Sequence, residues 1–180
     1  MSNTTTENRI GEMLTLTTAR TMGLAKGLLN GVDAKDFAKQ PMADGKVIDT
    51  NHPAFVYGHL AIYPAKVMGM LGHDGASAAC PDSWEEMFKN GAVCTHDADN
   101  SNHPSMDEII AKFESGYAAL IEATKATSDD VLLQPIAEEG WRDVFGTNGG
   151  MVGFMLHDHF MFHLGQMSAW RRAMGLGSAM

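Results

Sequence analysis

His159 and His163 stand four residues apart in the segment His159-Phe160-Met161-Phe162-His163. On an α-helix that spacing puts two imidazoles on one face, about 5–6 Å apart at Cβ. Two neutral imidazoles so placed can close on one ion at about 2.0–2.1 Å. His59 is the third candidate, because it falls on the apolar stripe of an earlier segment. Three histidines from two facing helices would bind a divalent first-row metal. They would leave a position for water or substrate, which is the pattern of a catalytic site rather than a closed structural one. Zinc, nickel, iron and manganese all accept such a donor set. The plainer alternative is that the pair is structural and that a lone histidine on an apolar stripe is a satisfied core residue.

Neighbouring residues sort by helical angle. His157 stands about 200° around the helix from His159 and is excluded as a co-ligand. Asp158, about 100° away, flanks the site or is simply solvated. His52 is a rival to His59, but it precedes Pro53 at a helix start and reads as an exposed cap residue. Gln166 shares the ligand face one turn after His163, where it either orients a water at the ion or bonds a partner on the first helix. Gly165 permits close packing or access. Tyr63 and Tyr117 lie on inward stripes, as pocket lining or as core. No acid falls clearly beside the three histidines, so a general base is missing.

Four long helical patterns must position these residues. The first starts near Thr4, boxed with Glu7, and carries Ile10, Met13, Leu14, Thr17, Thr21, Leu24 and Leu28, with Gly31 as its stop. After a polar loop, Pro53 opens a second stripe of Phe55, Val56, His59, Leu60, Tyr63, Val67, Met70 and Leu71. Pro64 should kink it just past His59. A polar region from 72 to 104 holds one short helix, opened by a Ser83/Glu86 box and closed by Gly91. The third long helix opens at Ser105, boxed with Glu108, and runs through Ile109, Phe113, Tyr117 and Leu120. A connecting region follows to about 149. The last helix spans about 150–174 with Met155, Leu156, His159, His163, Met167 and Trp170 inward. Arg171 and Arg172 complement its C-terminal dipole, and Gly175 stops it. No segment alternates long enough for a strand. An all-α four-helix bundle with long connections, one domain over 1–180, is the natural architecture.

At these residues the chain resembles the DinB/YfiT-like family of metalloenzymes. HFMFHLGQMSAWRRAMG looks like that family's C-terminal signature, and NHPAFVYGHLAIYPAKVMGMLG like its histidine-bearing second helix. SWEEMF and HPSMDEII resemble its connecting region. The resemblance implies a DinB-like four-helix bundle and metal ligands at His59, His159 and His163. It also implies a homodimer in many members, and a hydrolase or a transferase using a low-molecular-weight thiol in some.

Composition narrows the partners. Thirteen basic against twenty-two acidic residues give a net charge of −9, which argues against nucleic acid and against an anionic membrane surface. No apolar run is long enough to span a bilayer. The polar N-terminus lacks a signal-peptide pattern. Two cysteines, Cys80 and Cys94, are expected as free thiols of a cytoplasmic protein, a local disulfide being the alternative. His96, Asp97, Asp99 and His103 read as a solvated loop rather than a second metal site. The functional expectations are therefore a metal-dependent enzyme acting on a small molecule, or a non-catalytic, stress-related bundle whose ion is structural or sensing. A bundle without metal is the third.

Overall fold

The computed structural model describes residues 8–179. The Thr4/Glu7 box lies outside them. The described chain is mostly helical. Its first pattern is broken into α1 (Arg9–Thr15) and α2 (Thr18–Leu28). Their inward face differs from the expected stripe. Met13 is 64% and Leu16 77% exposed, while Gly11, Thr15, Thr18, Thr21, Ala25 and Leu28 are buried. The reason is a close backbone approach. A Cβ on Gly11 would collide with the Thr124 carbonyl, so only glycine lets α1 lie on its neighbour; Met13 and Leu16 turn outward, while Ile10, Leu14 and Leu24 of the expected stripe pack partly buried against the core. The buried threonines are satisfied by the helix itself: Thr15, Thr18 and Thr21 hydroxyls donate to the carbonyls of Gly11, Thr15 and Thr17.

The next polar stretch contains a two-residue ladder, β1 (Met42–Ala43) with β2 (Lys46–Val47). Asp44 and Gly45 between them both have positive φ, the signature of a tight hairpin turn. The second pattern splits at the proline, as its chemistry requires. α3 runs Pro53–Ala61 and α4 Pro64–Met70, with Pro64 opening the second piece. Every residue of α3 is buried. That explains its apolar run on all sides: α3 lies against both the third long helix and the last one.

α5 (Ser83–Phe88) is present, but its N-cap is Asp82 and Ser83 is already helical, so the expected capping box does not form. The box at Ser105 and Glu108 does form, opening α6 (Met106–Ala126). α6 packs on α1, α3 and α4. The region after it holds two short helices the pattern missed, α7 (Asp129–Leu133) and α8 (Glu139–Phe145). The last pattern is α9 (Asn148–Gly153), a π-helical turn at Phe154–Asp158, and α10 (His159–Ala173).

Arg171 does more than complement its own helix. It is buried, and its Nη1 donates to the carbonyls of Leu28 and Asn30 at 2.8 and 2.6 Å. It thereby satisfies orphan carbonyls at the end of α2, where the dipole favours a cation. Cys80 and Cys94 are free and half-buried. Among the described residues no helix is long and apolar enough to cross a membrane.

Candidate metal centre

α3 and α10 bring the three histidines together. His59 sits in the last turn of α3, next to the Pro64 break. His159 begins α10 directly after the π-helical turn, and His163 lies one turn further on. A π-turn inserts an extra residue and rotates the side chains after it, a feature frequent at functional sites. His59 and His163 are buried and His159 half-buried.

The ring nitrogens converge. His159 Nε2 lies 3.0 Å from His59 Nε2 and 3.2 Å from His163 Nε2. One atom from each residue falls within 4.8 Å of the others. Donors on a tetrahedral ion at about 2.0–2.1 Å stand roughly 3.3–3.4 Å apart, close to these separations.

The outer nitrogens fix the tautomers. His59 Nδ1 is 2.6 Å from the Phe88 carbonyl oxygen, which can only accept, so Nδ1 carries the proton. His163 Nδ1 donates to Gln166 Oε1 at 2.8 Å, and the same oxygen accepts from Asn51 Nδ2 at 3.1 Å. Both neutral rings therefore turn a lone pair on Nε2 toward His159. One N–H on His159 could satisfy only one of them, and its buried Nδ1 has no partner among the described residues. The cluster holds more lone pairs than protons, a deficit that a divalent cation removes. This donor set fits a metal ion.

Burial lowers the proton affinity of all three rings, most strongly in His159, whose pKa falls to about 3 with His163 and His59 as repelling neighbours. Burial and the neighbouring His59 take His163 to about 4 against the Gln166 bond, and burial also lowers His59. Neutral imidazole is the form that binds metal.

A cleft of about 590 Å³ opens onto the cluster. Phe55, Phe154 and Phe162 give it apolar walls; Asn51, Lys89, Asn90, Asp158 and Gln166 give it polar ones. Asp158 is exposed and is the carboxylate in this lining. Tyr63 stands behind the cluster, its ring edge-on to His59 and His159 at 5.0 and 5.3 Å. Tyr117 is elsewhere: it packs in the core against Phe113 and Phe160 and does not line the cleft. Gly165 is exposed with open space where a Cβ would point, so neither close packing nor access requires it. His157 faces α1, with Nε2 2.7 Å from the Leu14 carbonyl.

Two expectations about other histidines need correction. His52 is not exposed. It is fully buried, its Nδ1 capping α3 through the Phe55 N–H at 3.1 Å and its Nε2 3.1 Å from the Thr95 carbonyl. The 96–103 segment is solvated only in part: Asp99 is exposed as expected, but Asp97 is buried and His96 and His103 are half-buried. Buried Asp97 accepts from Ser101, Asn102 and His103, and His103 packs edge-on to His52 at 4.9 Å. Burial would raise the Asp97 pKa, but these bonds outweigh it and hold it at about 2. His96 is apart from them, accepting from the Gln40 N–H. Asp97 can be buried in this loop because its carboxylate is fully paired.

Sequence reasoning missed Asn51, the Phe88 carbonyl, Asn90 and the π-turn residue Phe154. A backbone carbonyl leaves no mark on residue type. Asn51 had one: a side-chain amide just before a helix start, within reach of whatever that helix packs on.

Compared with known protein families, curated proteins and solved structures, the chain shows no match.

Proposed function

We propose that this protein binds one divalent first-row metal ion on His59, His159 and His163 and acts as a metal-dependent enzyme on a small molecule. The observation that carries the reading is the convergence of three Nε2 atoms at an open cleft, with two of the Nδ1–H groups anchored outward. Three protein ligands with an accessible face leave room for a further ligand; a closed structural site uses four. When bound, the ion supplies Lewis acidity to the molecule that takes its open position.

The chain's own groups have definite tasks. Phe88 and Gln166 hold two imidazoles in the metal-binding tautomer, and Asn51 holds Gln166. Phe55 and Phe162 line the cleft beside the histidines with apolar surface. Asp158 at the rim is the group available to accept a proton from an incoming nucleophile. Hydrolysis, or transfer involving a low-molecular-weight thiol, suits such a site. The helical pairs α1–α2, α3–α4 and α9–α10 with the single long α6 support a four-helix bundle; its assignment to the DinB/YfiT type rests on the resemblance of the two histidine-bearing segments alone. Elemental analysis of protein purified without nickel resin tests the metal. About one ion per chain is expected in the wild type and little in His163→Ala; equal content in both would refute the assignment.

A further inference from the structure

Beside His59 and His159 lies a second space, and it extends the metal reading, on which it rests, to the ligand. A chamber of about 260 Å³ shares a wall with the cleft: His59, Asn90, Phe154 and His159 line both. The two spaces differ in character. The cleft carries Lys89, Asp158, Asn51 and Gln166, whereas no charged side chain lines the chamber. Its remaining walls are three aromatic rings, Tyr63, Trp141 and Phe145, and the thioethers Met151 and Met155.

The rings are arranged around the space rather than packed shut. Phe145 and Phe154 meet at 4.7 Å with planes 40° apart, and Tyr63 stands edge-on to His59 and His159. Tyr63, Trp141, Phe145 and Phe154 are all only half-buried. Trp141 and Phe145 come from α8, which buries none of its own residues in the core. Four aromatic side chains thus converge on one cavity and leave apolar faces uncovered there. Apolar lining with a few directed polar groups is how small-molecule sites are built. Ring faces and edges favour a flat aromatic partner, and methionine sulfur adds to the same preference.

We propose that the three-histidine site takes a small molecule made of an aromatic ring joined to a metal-ligating oxygen head. The ring seats between Tyr63, Trp141 and Phe145, and the head lies at the three Nε2 atoms. Trp141 and Phe145 determine specificity; they do not hold the metal.

Calorimetric titration of the zinc-loaded protein tests this with two hydroxamates that share one head, benzohydroxamate and acetohydroxamate. Burying the phenyl ring predicts at least about tenfold tighter binding of benzohydroxamate. Phe145→Ala and, separately, Trp141→Ala should keep the wild-type zinc content and lose most of that preference. Tryptophan fluorescence should change on benzohydroxamate binding in the wild type and not in Trp141→Ala. Equal affinities in the wild type, or a preference that survives in both variants at full zinc content, would overturn the aromatic assignment and leave the metal site standing. A wild-type protein that takes up no zinc would overturn both.

Discussion

His59 donates its Nδ1–H to the backbone carbonyl of Phe88 at 2.6 Å, which ties α5 to a candidate ligand on α3. The contact depends on a missing side chain. The Phe88 ring lies over Gly58, where a Cβ would come within 2.6 Å of the ring carbons. Glycine one residue before the ligand is what lets Phe88 approach, and Trp84 packs against the Phe88 ring at 5.6 Å.

Gly58→Ala should therefore act on both stability and metal. Overpacking of this kind costs about 1–3 kcal/mol, and displacing the carbonyl frees the His59 ring to rotate. Thermal unfolding and zinc titration of the variant would measure the two effects. A variant with lowered Tm but unchanged zinc affinity would show that Phe88 does not position His59.

The two buried histidines at the start and end of α3 should separate cleanly. His59→Ala is expected to lose most of the metal. His52→Ala should keep it and unfold more easily, by about 1–3 kcal/mol, because a helix cap is removed and the Thr95 carbonyl loses its partner. Elemental analysis beside denaturant melts decides it. An empty site in His52→Ala with a full one in His59→Ala would reverse the assignment.

Gln166→Leu removes the acceptor that orients His163, and Asn51→Ala removes the donor that orients Gln166. Loss of such an outer partner typically weakens metal binding about 10–100-fold. We expect Gln166→Leu at the larger end and Asn51→Ala below it. Wild-type affinity in Gln166→Leu would mean that packing alone fixes the His163 ring.

Acid should release the ion late. Burial lowers the proton affinity of the three ligands in the folded apoprotein, to about 3 for His159 and about 4 for His163. An unfolded histidine titrates near pH 6.5, roughly the model-peptide value. The unfolded chain thus binds protons first. The contribution of these groups to stability is complete above the unfolded pKa and is lost as pH falls from there through the folded values. Metal content measured against pH should hold through the ordinary imidazole range and fall toward about pH 4 and below. Half-release near 6.5 would mean the ligands are not buried as described.

The grouping of the three histidines was legible in the chain because much of its information is local. His159 and His163 are four residues apart, and helix geometry alone puts them on one face. His59 was legible because it lies on an apolar stripe, where an imidazole is exceptional. Pro64 announced the break beside it, and Ser105 with Glu108 announced α6. Periodicity placed Thr21 and Leu28 inward correctly but misjudged Met13 and Thr17, since it cannot see that Gly11 must meet a backbone carbonyl. It also misjudged His52 and Asp97. Whether a polar group is buried depends on partners far along the chain, here Thr95 for His52 and the turn after Asp97. The tautomers were beyond the sequence for the same reason. They rest on the Phe88 carbonyl, 29 residues from His59, and on Asn51, 115 residues from Gln166. Local spacing determines which side chains can share a face. Only tertiary packing decides which backbone carbonyls and amides meet them, and so which nitrogen of each ring is left to bind.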